Sequence, residues 1–356
     1  MVVASPMLAP PQPAIVDCHL EAVQAHKDGG LLLVASNLVS RYWSGSLWYF
    51  KDAETAPNYQ SFTAAAQAKT GLKDAKWITD MTMASISDSG TIDVYDVSAS
   101  DQTFNPLWSS CSHDDVCTSL AVNADQTWLI SASYDGCIKV WDMAEMFAMY
   151  TFRGHSDVVN SLSSHPSQPD TFLSCSRDGN VILWDTRKAL PAKRLGALKE
   201  TSPTCLCWQP KNENCFAVGG ADGEIKYVDL RDVGNCLGSA KAHNRHITRM
   251  EFSPTSENML ASGSEDCNVV VMNVTQGSPI YRHSHKDFVT GITWSPDGSK
   301  LYSCGWDSSV KCHNMGTGEC LECGQTSEME VQNGGVVNGS ASASSMDSEI
   351  NTPVSS

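Results

Sequence analysis

Residues 131 to 142 read SASYDGCIKVWD, and residues 174 to 185 read SCSRDGNVILWD. Each has small residues, an Asp-Gly turn, an apolar alternation of period two and a closing Trp-Asp. With Gly136 as the ruler, equivalent small or turn residues fall at Gly45, Gly90, Gly136, Gly179, Gly223, Cys267 and Ser308. The steps are 41 to 46 residues, so the chain repeats one unit seven times. SGSLWYFKD (44–52), DSGTIDVYD (88–96), ADGEIKYVD (221–229), EDCNVVVMN (265–273) and WDSSVKCHN (306–314) are weaker copies. Only two units keep both Trp and Asp, so period and pattern carry the signal together.

Each unit holds three short alternating runs and room for a fourth. In the fourth unit these are 158–164, 171–176 and 180–185, with a looser stretch at 192–198. A sheet of four short strands cannot bury both faces alone and must stack on its copies. About 44 residues per copy is the spacing of propeller blades. The expectation is an all-β, seven-bladed propeller over 17–323, between a disordered Pro-rich start (1–16) and a disordered acidic Ser/Gly-rich tail (324–356). GECLECG (318–324) and the residues after the Pro-rich start compete to supply the last blade's outer strand.

Composition narrows the function. No window approaches the ~18 apolar residues of a membrane-spanning helix, and MVVASPMLAPPQPAIV lacks the basic start of a secretory signal. An intracellular address is expected, with the 14 cysteines as reduced, mostly buried thiols. Cys320 and Cys323 form a C-x-x-C near Cys312 and His313, but strand alternation accounts for two of these four, and no metal is expected. The net charge is −16, and the tail's Glu328, Glu330, Asp347 and Glu349 supply only a part of it. A basic face for nucleic-acid phosphates is missing. No P-loop, G-x-G-x-x-G, H-E-x-x-H or G-x-S-x-G occurs, so catalysis is not expected. Gly316-Thr-Gly318 lacks the further glycines of a nucleotide loop.

These repeats resemble the WD-repeat family. The family's structural tetrad maps onto His113, Ser131, Asp135 and Trp141, and onto His155, Ser174, Asp178 and Trp184. The sixth unit keeps His243, Ser262 and Asp266 but has Met272 for Trp. The seventh keeps His285, Ser303 and Asp307 with His313 there; the fifth has Asp222, Val228 and no clear His. The residue before the turn Asp is expected at the ring's mouth, a position held by Trp43, Tyr134, Arg177, Ala221, Glu265 and Trp306. Aromatic and Arg side chains there are candidate partner anchors.

The first unit, LEAVQAHKDGGLLLVASNLVSRYWSGSLWYFKD (20–52) with APN at 56–58, and HKDFVTGITWSP (285–296) with CGWD (304–307), are similar to the methylosome protein 50 family. These are the WD-repeat companions of the arginine methyltransferase that makes symmetric dimethylarginine. The resemblance implies a non-catalytic subunit of a hetero-oligomer, docked on the enzyme and presenting basic substrates such as histone tails and Sm proteins in cytoplasm and nucleus. S-adenosylmethionine would then bind the enzyme only, leaving this chain without a cofactor. It also implies that Trp43 inserts into the enzyme, with Arg41 and Tyr42 bordering the contact. A generic adaptor, such as a ubiquitin-ligase substrate receptor, is the competing reading, and its affinity would sit at the ring's mouth.

Overall fold

The computed structural model describes residues 13, 15–39, 42–98, 102–195 and 202–324. Among them all regular structure is β except one short 3-10 turn, Ala53–Thr55. The third unit shows the local logic. Cys117–Val122, Trp128–Ser133, Cys137–Asp142 and Phe147–Arg153 form a four-stranded antiparallel sheet in chain order. Four further sheets begin at Val159, Pro203, Ile247 and Val289 and have the same order. The first two units are joined edge to edge: Ala64–Ala68 meets Thr103–Cys111 through one parallel pair, Ala65 with Thr103, giving an eight-stranded sheet.

The innermost strand of each unit lies beside that of the next, and Val289–Trp294 returns to His19–Ala25. Their side chains latch the neighbours together. Thr118 Oγ1 donates to the Val159 carbonyl at 2.6 Å, Asn160 Nδ2 to Pro203 at 2.8 Å, Thr204 to Ile247 at 2.7 Å and Thr248 to Val289 at 2.6 Å. Thr290 makes the same bond to the Leu20 carbonyl, fastening the last unit to the first. At the matching places in the first two units Glu21 and Lys73 form an ion pair at 3.5 Å instead. The inner strands line a central channel of about 290 Å³, in which Arg249 meets Asp74 at 2.9 Å. Burial raises the Glu251 carboxyl there to about 7, against the pull of Lys76.

Apolar clusters fill the spaces between neighbouring sheets. One spans the seam, packing Leu20, Leu33 and the fully buried Trp48 against Tyr302, Cys304 and Val310. Cys320–Glu322 pairs with Val310–Asn314, so of the two competing segments it is 318–324 that supplies the last sheet's outer strand. The Gly324 N–H donates to the Glu54 carbonyl at 2.8 Å. Of the tails expected to be disordered, 1–12, 14 and 325–356 lie outside the described residues. Pro13 is buried and Val16 packs against the seam cluster. All 14 cysteines are free thiols.

Six of the seven ruler positions have left-handed backbone: Gly90, Gly136, Gly179 and Gly223, and even Cys267 and Ser308 at φ of 65° and 61°. A tight Asp-x turn demands that conformation and glycine meets it without a Cβ penalty. Gly45 is the exception. It sits inside the strand Tyr42–Phe50 opposite Ser36, where a Cβ would approach the Leu72 Cγ to 2.6 Å. The first unit therefore matches the period but not the turn.

Candidate partner-binding surface

The structural hydrogen bonds come first, because they fix the loops that carry the surface. His113 places Nδ1 3.0 Å from Asp135 and Nε2 2.8 Å from the Ser131 hydroxyl, and the Trp141 indole donates to that hydroxyl at 2.9 Å. His155, Asp178, Ser174 and Trp184 repeat this at 3.1, 2.7 and 2.8 Å. In the sixth unit His243 reaches Asp266 and Ser262, with Met272 packed where the indole would lie. The seventh unit solves the problem differently: His313 Nε2 lies 2.7 Å from the Ser303 hydroxyl and its Nδ1 2.9 Å from the Tyr281 hydroxyl. Burial, with His283 and His285 nearby, depresses His313 to about 3, so the ring is neutral. Both its nitrogens are committed within the fold. Among the described residues no group of three or more His, Cys, Asp or Glu is placed to hold a metal.

A second repeated bond marks the loop position before each turn Asp. The N–H of Tyr134, Arg177, Ala221, Glu265 and Trp306 donates to the carbonyl of Val116, Val158, Ser202, His246 and Phe288 respectively. In the second unit Asp88 makes this bond to Gly71. Asp88, two residues before Gly90, thus joins the row, to which the sequence pattern assigns no member from the second unit. Trp43 makes no such bond and does not belong to the row. It is not at a turn, as its flanking Ser44-Gly45 suggests, but within a strand, opposite Leu38.

That difference builds the feature. In the third unit pairing ends at Ala132 with Ile138, three steps beyond Leu129 with Trp141. In the first, the equivalent three steps from Leu31 with Phe50 reach Val34 with Leu47, and pairing continues through Ala35–Ser46, Ser36–Gly45, Asn37–Ser44, Leu38–Trp43 and Val39–Tyr42. At ~3.3 Å per residue, five further pairs carry the hairpin roughly 16 Å beyond its counterpart. Its far end presents Tyr42, 80 % exposed, and Leu38, 50 % exposed. Arg41 lies outside the described residues.

Trp43 is half-buried and lines a cavity of about 350 Å³ with Lys73, Asp88 and Tyr134. Gly71 permits this approach, since a Cβ there would lie 2.9 Å from that of Trp43. On the other side the His19 ring stands between Trp43 at 5.7 Å and Trp306 at 4.9 Å, and Trp306 rests on Phe288 at 5.7 Å. Tyr134, Trp43 and Trp306 are thus gathered around the first unit, whereas Arg177 lies further round, its guanidinium bidentate to Asp157 at 2.8 and 3.0 Å. Tyr134 is half exposed; Trp306 is half-buried. Leu38, His19, Lys73 and Asp88 join the site unforeseen, because hairpin length and the packing of unit on unit bring them there. Burial raises the Asp88 carboxyl, with Lys73 and backbone N–H groups acting in opposition.

Sheets of consecutive strands, His-Asp-Ser bonds and left-handed Asp-x turns define a WD-repeat protein, and the family "WD domain, G-beta repeat" matches residues 104–142, 147–185, 234–273 and 277–314. These matches begin on an outer strand and end on the third strand of the next sheet, so each repeat straddles two units. The methylosome protein WDR77 of Xenopus laevis is 37 % identical over 305 residues, 85 % of this chain and 91 % of that protein. The chain belongs to the family of that methylosome protein. More distant matches cover about half of the chain: the histone acetyltransferase type B subunit 2 of Candida glabrata at 29 % (55 % of this chain, 48 % of that protein) and the E3 ubiquitin-protein ligase COP1 of Arabidopsis thaliana at 26 % (52 % and 27 %).

Proposed function

We propose that the chain is a seven-bladed propeller, the eight-stranded sheet counting as two blades, and acts as the non-catalytic scaffold of a protein arginine methyltransferase complex. The observation that carries this is the overlong first-unit hairpin in a chain of the methylosome protein family. It offers Tyr42 and Leu38 to a partner and backs them with the half-buried Trp43. Exposed aromatic and aliphatic side chains on a rigid, paired hairpin suit a docking anchor, since little conformational entropy is lost when they are covered. The acidic surface attracts Arg-rich substrates such as histone tails and Sm proteins, and S-adenosylmethionine is left to the enzyme. The assembly works in cytoplasm and nucleus.

Co-expression with the methyltransferase followed by co-purification tests the anchor. Tyr42→Ala combined with Leu38→Ala, and separately Trp43→Ala, should weaken capture by roughly tenfold or more each. Unchanged capture by both variants would remove the docking role. The adaptor reading draws on the partial similarity to a ubiquitin ligase and places affinity on the row of Tyr134, Arg177 and Trp306. A triple alanine variant there that loses its partner while the hairpin variants keep theirs would favour it.

A further inference from the structure

The strands alternate in direction, so the first-unit hairpin, the Asp-x turns and the histidine loops share one face, and the turns after the first and third strands of each unit lie on the other. On that opposite face, between the second and third units, is a groove of about 590 Å³, within the ~300–1,000 Å³ range of side-chain- and ligand-sized pockets. Its apolar floor is Ile78 with the partly buried Met143 and Met146. Leu107 forms one wall, 51 % exposed; Met81, 51 % exposed, sits between the lining residues Thr79 and Thr82; Phe147, 52 % exposed, follows Met146. Large apolar side chains gathered around one concavity are unusual for a surface with no partner. Met143 and Met146 make it adaptable, because unbranched thioether chains repack around differently shaped guests.

Charge selects the guest. Among the described residues lining the groove none is Lys or Arg, while Asp142 lines it. Glu145 lies between the lining residues Ala144 and Met146, and Asp125 adjoins Gln126. A chain of net charge −16 repels a second copy of itself at such a rim, and anionic lipid headgroups equally. We propose that this groove binds a basic amphipathic helix of a partner protein, its apolar side chains on the methionine floor and its Lys or Arg residues against Asp142, Glu145 and Asp125. The site is separate from the methyltransferase-docking hairpin and stands or falls independently of it.

The probe is a fluorescein-labelled 18-residue peptide of leucine and lysine in amphipathic helical order, titrated into the full chain. Its counterpart carries glutamate for every lysine. The lysine peptide binds, the glutamate peptide does not, and Leu107→Glu and Phe147→Glu each weaken binding roughly tenfold. Glu145→Lys, which touches no apolar contact, also weakens it, and Tyr42→Ala on the opposite face leaves it unchanged. Near-UV circular dichroism identical to that of the parent qualifies each variant, and Glu145→Lys alone decides should both apolar variants misfold. Equal binding of the two peptides, binding undisturbed by the qualifying groove variants, or preference for phosphatidylserine vesicles over the peptide overturns the proposal.

Discussion

Replacing Ser303 with alanine tests whether the seventh unit's histidine pair does the work of the missing indole. Burial alone would raise the Asp307 carboxyl, but hydrogen bonds from His285 and the Lys286 N–H bring it well below the usual range, so it only accepts. Nδ1 of His285 therefore carries the hydrogen, and its Nε2 accepts from the Ser303 hydroxyl at 2.7 Å. The oxygen of Ser303 is left to accept from Nε2–H of His313, whose Nδ1 takes the Tyr281 hydroxyl at 2.9 Å. These proton positions are those of a neutral His285 ring beside the Asp307 carboxylate. Ser303→Ala strands an imidazole N–H and an imidazole acceptor where Ser303 and His313 have no exposure. Each stranded group costs ~1–3 kcal/mol, so the loss is about 2–6 kcal/mol. Equilibrium urea unfolding should show a lowered midpoint with unchanged slope. Tyr281→Phe should cost ~1 kcal/mol in the parent and less once Ser303 is gone, since the relay is already broken. A Ser303→Ala cost within ~0.5 kcal/mol, the range of ordinary surface changes, would refute the chain of donors and acceptors.

Acid should unfold the protein in a stated window. His313 is depressed to about 3 in the fold, against ~6.5 when unfolded, so its contribution is complete above pH ~6.5 and is lost as pH falls toward 3. His113, His155 and His243, lowered by burial against their aspartates, add to the same direction. Urea midpoints from pH 7 to 4 should therefore fall steadily, and a flat profile would contradict the neutral buried rings. Gly223→Ala should destabilise far more than Gly136→Ala: both φ values are positive, but the new Cβ would meet the His243 carbonyl at 2.2 Å in one and nothing nearer than 3.6 Å in the other. Comparative urea midpoints check this, with ~1–2 kcal/mol expected at Gly136 from backbone strain alone. Thr290→Val should cost about 1 kcal/mol by cutting the Thr290 latch across the seam, and faster cleavage near the N-terminal strand under limited proteolysis would report it. Iodoacetamide with mass spectrometry should label exposed Cys18, Cys111 and Cys236 first, because burial pushes Cys205 and Cys304 up to about 12 and shields them.

The period was legible because six units need a left-handed residue at the same place, after an Asp in five of them, and a backbone requirement leaves a mark at a single position. Cys267 and Ser308 kept the period visible although neither is glycine. The tetrads were legible for a related reason: buried imidazoles need fixed partners, so His, Ser and Asp recur at fixed intervals. Thr118, Asn160, Thr204, Thr248 and Thr290 recur just as regularly, 42 to 44 residues apart. They pass unnoticed because threonine and asparagine are common in strands, and only the neighbouring carbonyl reveals the latch.

The partner-binding surface was less legible, since it arises where the repeat is broken. Gly45 keeps the spacing but not the conformation, and the text alone gives it the same turn as Gly136. Five additional strand pairs then convert a presumed turn residue, Trp43, into a strand residue and move the exposed apex to Leu38 and Tyr42. Strand register sets which side chain leaves the sheet, and the period alone does not fix that register. The physical consequence is that the energy of docking should follow the apex pair at least as closely as Trp43, whose indole already has His19 and the cavity wall for company. Capture that depended on Trp43 alone, with Leu38 and Tyr42 dispensable, would mean that the hairpin must open before it binds.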